Sequence, residues 1–599
     1  MKIIFFISAL FISIFSNAQS DDYDLFLARQ FLQNGEYTKA VEYYQSLYQQ
    51  NPTEYYTDFI DILFQLKDFD KAEKIIKTHY KEVDKSPIFL LDLVNLYLKQ
   101  NQLDEAEKQC NKVMKELKAN PYEIQQIAQK FIQLQQVDFA EKTYRKAKEL
   151  LKDKQVFNLE LADLLLKKND LQGMLNAYFE EAANTTHLNT VKIGLQKALV
   201  DEKAKDEVEK ALLKRIQSNK TILNYQELLI WLYMQRNDFE GAILQAKSLD
   251  LLRQENGENV LRIARAATIQ KDFDAAIKGY QYVINKGITN TWYVTASLEL
   301  INVKRDKIVQ TTNYNQSQLL SLKETYLQFI SNYTQDDYNA IQAKIELAQL
   351  EAFYLHEIDT AIFLVQPIVE NDRIPKELLA KAKLNLGDYY IISDEPWESL
   401  LLYTQVEKEQ KGNPIGEEAK YRNARLAYYK GEFEWAQTQL KIIKANTTEF
   451  ISNDAIDLSV FILDNLNSDD TDFALIQFAK ADLLQYQNKL NEAEDTLDFI
   501  LKNYVGTALA DDILYLKYKI EKNRQQYDNA ATCLQQISDH FSNDILADNA
   551  LFYLGELYQN FLNDDDKAKN YYEKIILEFK DSTFVIEARK RYRKLRGDI

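Results

Sequence analysis

Glycine and proline are scarce in this sequence, with 14 Gly and 7 Pro among 599 residues. Together they make up about 3.5% of the chain, whereas average proteins contain about 12%. Few turns can then adopt the unusual backbone angles that these residues permit. Long helices joined by short connections are therefore favoured over β-structure. Because the chain is also too long for one compact core, we expect several domains or a repeat array.

Sequence patterns typical of catalysis and metal binding are also missing. The sequence has neither a Gly-rich phosphate loop nor a CxxC or HExxH pattern. Its four histidines lie more than 100 residues apart, and its two cysteines, Cys110 and Cys533, more than 400 apart. We expect two buried free thiols, no metal site, no cofactor and no enzymatic activity.

Two acidic clusters, Asp469–Asp472 and Asp564–Asp566, lack the glycine and the closing glutamate of a calcium-binding loop. Capping of helix N-termini explains such clusters more simply.

Positive charge is in deficit, since 73 Lys and Arg face 91 Asp and Glu, for a formal net charge of −18. A phosphate backbone needs a positive surface, so a nucleic-acid partner is not expected. The basic run Arg589–Arg596 is the exception. It could dock on an anionic membrane surface or on an acidic partner. The simpler interpretation, which we favour, is a solvated last helix whose cations complement its dipole.

The first 18 residues have the pattern of a secretory signal peptide. Lys2 is followed by the apolar run Ile3–Phe15 and by the small-residue site Ser16-Asn17-Ala18. The apolar run is too short to span a bilayer comfortably, and no later stretch is long enough. We expect cleavage after Ala18 and export, most simply to a bacterial periplasm or out of the cell.

The rest of the chain follows a repeat of 34 residues. A small or apolar residue marks each step, and these eight anchors are Ala40, Ala72, Ala106, Ala140, Met174, Val208, Ala242 and Ala276. The first step is 32 residues and every later one is 34. Apolar residues also recur 13 and nine residues before each anchor and four residues after it. Such spacing predicts two amphipathic helices per repeat.

These patterns resemble the tetratricopeptide-repeat (TPR) family. The first repeat carries its characteristic residues in order: Leu27, Ala28, Phe31, Ala40, Tyr44 and Pro52. The resemblance implies an all-α fold, a right-handed α-solenoid of helix pairs arranged in two arrays.

The predicted organisation has five parts. After the signal peptide (1–18), an array of eight repeats fills residues 19–290. An irregular helical joint covers 291–335, and an array of longer repeats covers 336–582. A capping helix and basic tail (583–599) close the chain. The second array is similar in style to envelope TPR proteins, namely the outer-membrane assembly lipoprotein and the Tol–Pal coordinator.

In the TPR family, the first helix of each pair lines a concave groove. The resemblance places the residue eleven positions before each anchor in that groove. We call these eight the ladder residues: Arg29, Asp61, Asn95, Gln129, Asp163, Lys197, Trp231 and Arg265. Leucines 15 positions before some anchors, including Leu91 and Leu261, are expected to add apolar contacts. Such a surface suits an extended or helical segment of a protein partner, with Trp231 as the best candidate for a binding hot spot or, equally, as a packing residue.

The expected function is a non-enzymatic adaptor in the cell envelope that binds a protein partner. One alternative is a subunit or coordinator of an envelope-assembly or cell-division complex, with peripheral attachment to the envelope. A glycan-binding outer-membrane protein is a further and less favoured alternative.

Overall fold

The computed structural model describes residues 23–200, 202–310, 315–334, 337–446, 449–466, 472–504 and 508–598. The predicted signal peptide and most of the acidic cluster Asp469–Asp472 lie outside these ranges. Within them the chain forms 32 α-helices, one short 3-10 helix and no strands. The prediction of an all-α solenoid of helix pairs is confirmed.

The structure divides into two compact units, and the division falls between Arg253 and Gln254. Helices α1–α14 of the first unit cover residues 23–33 (α1), Tyr37–Gln50, Pro52–Leu66, Phe69–Glu82, Leu90–Lys99, Leu103–Glu116, Pro121–Gln133, Val137–Leu151, Asn158–Lys167, Leu171–Ala182, Leu188–Gln196, Glu202–Ser218, Asn224–Gln235 and Phe239–Arg253. Odd-numbered helices are the first of each pair and even-numbered helices the second. We call them A helices and B helices.

The second unit contains α15–α32: Glu258–Ile269, Phe273–Ile284, Tyr293–Gln310, Gln316–Ser331, Tyr338–Phe353, Ile358–Val369, Lys376–Ile392, Pro396–Glu409, Pro414–Tyr429, Phe433–Asn446, Glu449–Asn465, Phe473–Tyr486, Leu490–Asn503, Ala510–Asn523, Tyr527–His540, Ala547–Asn560, Asp565–Glu578 and Val585–Arg596. Here the strict alternation is interrupted by α25, after which α26 is again an A helix.

The division differs in place from the predicted joint at 291–335. The eighth repeat (α15 and α16) lies in the second unit, and α17 and α18 form another helix pair, whose buried core also includes residues of α19. The 34-residue period continues across the division. The spacing of residues in the sequence therefore does not indicate where the two units separate, since the division depends on contacts between helices.

The anchors hold the pairs together. Seven of the eight are fully buried, and Ala106 is 2% exposed. A small anchor lets the two helices approach closely, so the sequence pattern translates directly into packing.

Glycine serves the same close approach in the second unit. A Cβ atom added at Gly387 would lie 2.4 Å from the ring of Tyr403, and one added at Gly555 would lie 2.5 Å from the ring of Tyr572. Both tyrosines are fully buried. Each glycine therefore makes room for an aromatic ring on the paired B helix.

The sixth repeat departs from the regular pattern. Its A helix, α11, has nine residues, and its B helix, α12, has 17. Helix α11 packs against α9, α10 and α13, whereas α12 packs against α13. The two helices of this repeat therefore do not form the close hairpin found in the other pairs.

Candidate functional site

Most ladder residues lie on the side of the A helix that faces solvent and not the core of the helix pair. Helix α3 shows why: Phe59 and Leu63 are fully buried, and Asp61 lies between them in sequence and is exposed. Residues i and i+4 share one face of a helix, and residue i+2 lies well away from it. Arg29, Gln129 and Lys197 are likewise exposed.

Three other ladder residues are partly buried. Asn95 lies on α5, Asp163 on α9 and Trp231 on α13. Arg265, on α15, is exposed and belongs to the second unit. Six of the eight ladder residues thus lie on A helices of the first unit, and Lys197 is the residue that directly follows A helix α11.

The ladder residue Asp61 lies near an ion pair between Asp92 and Lys130. Asp92 accepts hydrogen bonds from the Lys130 ammonium at 2.7 Å and from the Tyr56 hydroxyl at 2.9 Å. Burial raises the pKa of the neighbouring Asp61, and the charge of Asp92 raises it further, while Lys130 opposes both. Asp61 and Asp92 therefore form an acidic patch that a single lysine partly neutralises.

Two pairs of residues 34 positions apart form ion pairs. Asp163 Oδ1 lies 3.3 Å from Lys197 Nζ and also accepts a hydrogen bond from the Tyr178 hydroxyl at 2.9 Å. In the second unit, the Arg265 guanidinium donates to both oxygens of Glu299 at 2.6 to 2.9 Å. Side chains one repeat apart therefore lie close together, and each partly neutralises the charge of the other.

The expected apolar contacts require a correction. Leu91 is fully buried and Leu261 is 1% exposed, so neither reaches the surface of a groove. On α5, Leu90, Leu93 and Val94 are buried as well, which shows that this helix is enclosed around most of its circumference. Leu25 and Leu159, which also lie 15 positions before an anchor, are partly exposed, so the apolar contribution to this surface is smaller than the sequence suggested.

A charged cluster in the second unit escaped the sequence analysis. Arg422 Nη1 donates to Asp388 Oδ2 at 2.5 Å, and its Nε donates to Glu418 at 2.9 Å. The Tyr403 hydroxyl donates to the other oxygen of Asp388 at 2.6 Å. Burial raises the pKa of Asp388, while Arg422 and the Tyr403 hydrogen bond oppose that effect. We call Asp388, Arg422, Arg425, Tyr403 and Tyr486 the polar core.

Aromatic rings enclose the second arginine of this polar core. The Arg425 guanidinium lies 4.6 Å from the ring centre of Tyr486, and its Nε donates to the Tyr429 hydroxyl at 2.7 Å. Tyr486 in turn lies 6.1 Å from Phe353 on α19. Gln487, which follows α26, donates to the Ile391 carbonyl on α21 at 2.8 Å. Side chains of the chain itself therefore fill the space between the A helices α19, α21, α23 and α26.

One sequence signal could have located this core. Asp388 and Arg425 lie eleven residues before Ser399 and Ala436, as ladder residues do before their anchors. The pattern of apolar anchors does not include Ser399, because serine is polar. It is nevertheless fully buried, and its hydroxyl donates to the Gly387 carbonyl at 2.7 Å.

The surroundings of the two cysteines and of the acidic cluster near Asp564 favour structural roles for these residues. Burial raises the pKa of the Cys110 thiol to about 12 and that of Cys533 to about 11, which makes both poor nucleophiles at neutral pH. Both are free thiols; Cys110 is buried as expected, whereas Cys533 is only partly buried. Within the described ranges, no three His, Cys, Asp or Glu side chains are placed to hold a metal ion. Asp564 caps α31 by accepting from the Lys567 amide at 3.0 Å, as expected.

The basic run near the C-terminus divides into two groups. Arg591 lies 5.1 Å from the ring centre of Phe552 and donates to the Tyr572 hydroxyl at 3.2 Å, so it packs the last helix against the unit. Arg589, Lys590, Arg593 and Lys594 are exposed on α32. None of the helices in the described ranges combines the length and the apolar character that a membrane span requires.

Comparison with known proteins supports the repeat assignment. Tetratricopeptide-repeat family models match residues 63–127 and residues 549–582. The chain therefore contains TPR repeats in both units. Among curated proteins, none matches the sequence.

Several solved structures resemble this chain. A Naa15/Naa10 complex bound to HypK-THB contains a chain with 12% identity and a TM-score of 0.27, over 97% of this chain and 94% of that one. A tetratricopeptide repeat protein from Parabacteroides merdae ATCC 43184 has 13% identity and a TM-score of 0.26, over 51% and 99%. Yeast Tom70 has 14% identity and a TM-score of 0.26, over 86% and 96%. At these values the similarities carry no inference about function.

Proposed function

We propose that this protein is a non-enzymatic scaffold, exported to the cell envelope, whose first unit binds a segment of a protein partner. The ladder of exposed and partly exposed side chains on successive A helices carries the proposal. Stacked repeats hold these side chains in fixed positions before the partner arrives, so little conformational entropy is lost on the scaffold's side when it binds.

The contrast between the two units supports a site in the first. In the second unit, the polar core occupies the space between A helices, and Glu299 engages Arg265. In the first unit, Asp163 and Lys197 also form an ion pair, but Arg29, Asp61 and Gln129 are exposed on their helices. A partner segment with charges of both signs would complement this surface.

A second candidate function is that of a coordinator within a larger envelope complex. The exposed cations of α32 favour it, because Arg589, Lys590, Arg593 and Lys594 present positive charge on a chain of net charge −18. Co-purification of a stoichiometric membrane complex would support this role over that of a simple adaptor.

Binding through the ladder is tested by replacing Trp231 with alanine. Loss of a partly buried aromatic contact at an interface typically costs about 2 kcal/mol or more, so we expect at least tenfold less partner. The partner is captured by chemical cross-linking in cells that produce the protein and identified by mass spectrometry.

A matched control is Trp397→Ala, which removes the same side chain from a B helix of the second unit, where Trp397 is 70% exposed. This variant should capture the partner as well as the wild type does. Equal capture by Trp231→Ala and wild type, with unchanged circular dichroism, would refute a ladder site that includes Trp231.

Export rests on the pattern of residues 1–18 and has a direct test. We expect the protein isolated from its native cells to have the mass of a chain that begins at Gln19. Recovery of a chain that retains Met1 in the cytoplasmic fraction would contradict the proposal, without bearing on the ladder.

A further inference from the structure

A groove opens on the B-helix side of the first unit, between α10 and α12. Its volume is about 610 Å³, within the range of ligand-binding pockets. The groove lies at the irregular sixth repeat, where α12 packs against α13 and does not form a close hairpin with α11.

The two walls of the groove differ in chemistry. Helix α12 contributes Lys210 and, four and five residues later, Lys214 and Arg215, all of which line the groove. Helix α10 contributes the amide side chains Gln172 and Asn176. The floor is apolar, formed by Leu175 and Phe179, each 1% exposed.

The charges of α12 are sorted between its faces. Away from the groove, Glu202, Asp206 and Glu209 gather around Arg236, with N···O distances of 2.7 to 3.7 Å. Three acidic groups of this helix are thus neutralised on one side, where Lys205 also pairs with Glu202, while Lys210, Lys214 and Arg215 line the groove on the other.

The groove cations lack such neutralisation. Among the described residues, no carboxylate forms an ion pair with Lys210, Lys214 or Arg215, although Glu207 also lines the groove. Arg215 donates instead to the neutral Asn176 Oδ1, at 2.9 Å across the groove. A groove with three cations and one carboxylate on a chain of net charge −18 concentrates positive potential at one place.

We propose that this groove binds an acidic segment of a protein partner. Carboxylates of the segment contact Lys210 and Lys214, and its backbone groups bond to the amides of Gln172 and Asn176. The groove follows α12, where its lining runs from Glu207 to Ser218; this stretch of helix spans about 18 Å, which roughly six extended residues also span. This elongated shape, with amides opposite cations, fits a peptide better than a small anion. The site lies on B helices and is separate from the ladder of the proposed function.

The test measures binding of a capped, fluorescein-labelled oligoglutamate of roughly six residues to the full chain by fluorescence anisotropy. We expect saturable binding that weakens with salt, and an affinity roughly tenfold lower in the double variant Lys210→Gln/Lys214→Gln. The control Lys74→Gln/Lys81→Gln removes the same charge from exposed positions of B helix α4 and should bind like the wild type. The Trp231→Ala variant should also bind like the wild type, so failure of this site and failure of the ladder are distinguishable.

Three results would overturn the proposal. One is the absence of saturable binding at peptide concentrations up to about 1 mM, which would mean a Kd weaker than about 1 mM. Another is equal affinity of the Lys210→Gln/Lys214→Gln variant and the wild type. The third is displacement of the peptide by inorganic phosphate at matched charge concentration, which would identify a small-anion site. Circular dichroism confirms that each variant is folded.

Discussion

Replacement of Arg422 with methionine is expected to lower the free energy of unfolding of the second unit by about 3 to 5 kcal/mol. Arg422 neutralises Asp388, which is 15% exposed and lies between A helices of the second unit. Without the guanidinium, the carboxylate keeps the Tyr403 hydrogen bond and loses its nearest cation. Leaving one member of a buried ion pair uncompensated typically costs this amount. Urea denaturation followed by circular dichroism measures the loss.

A double variant separates the ion pair from simple packing. Asp388→Leu/Arg422→Met removes both charges, and we expect it to be more stable than Arg422→Met alone, because apolar replacement of a whole buried pair is often tolerated. If both variants lose the same stability, the charge of Asp388 is not the source of the effect. If Arg422→Met loses less than about 1 kcal/mol, the pair behaves as a surface ion pair and the polar core is not buried as described.

The Asp512→Asn variant is expected to stabilise the second unit at pH 8 and to leave its stability nearly unchanged at pH 4. The pKa of Asp512 is raised from 3.8 to about 7; burial is the largest cause, the charge of the neighbouring Asp511 adds to it, and a hydrogen bond from Asn465 opposes the increase. Between pH 4 and 7 the folded chain therefore holds a proton that the unfolded chain has released. Stability present below pH 4 is lost as the pH rises to 7.

The size of this effect follows from the pKa change. A pKa that rises from 3.8 in the unfolded chain to about 7 in the folded chain corresponds to a loss of unfolding free energy on the order of 4 kcal/mol between low and high pH. Asparagine carries no charge at any pH, so the difference in unfolding free energy between the variant and the wild type should grow from pH 4 to pH 8. A difference that is constant with pH would show that Asp512 is not desolvated in the folded state.

The repeat spacing in the sequence predicted most of the first unit. Buried anchors such as Ala72 and Ala140 recur at a fixed interval, and that interval determines which residues of each helix face the core. The predicted packing succeeds because a helix pair of constant length repeats its environment every 34 residues. The resemblance assigned ladder residues such as Asp61 and Gln129 to a groove; both are exposed, and their role in binding a partner stays a prediction.

The second unit was less predictable, because its steps vary in length and its contacts join distant helices. Gln487 bonds to the carbonyl of Ile391, nearly 100 residues earlier, and no local pattern signals such a contact. The polar core also depends on Ser399, a polar residue at an anchor position. In the first unit, the 34-residue spacing gives no sign of the α10–α12 groove, because the position of α12 depends on tertiary packing.

The most direct test of the central claim asks which face of the first unit touches the partner. A photo-cross-linking amino acid is placed at Gln129, exposed on A helix α7, or at Arg145, whose side chain is 55% exposed on B helix α8 of the same repeat. Irradiation of cells that produce each variant should give an adduct with the partner from position 129 and none from position 145. An adduct from position 145 and none from position 129 would contradict binding along the ladder.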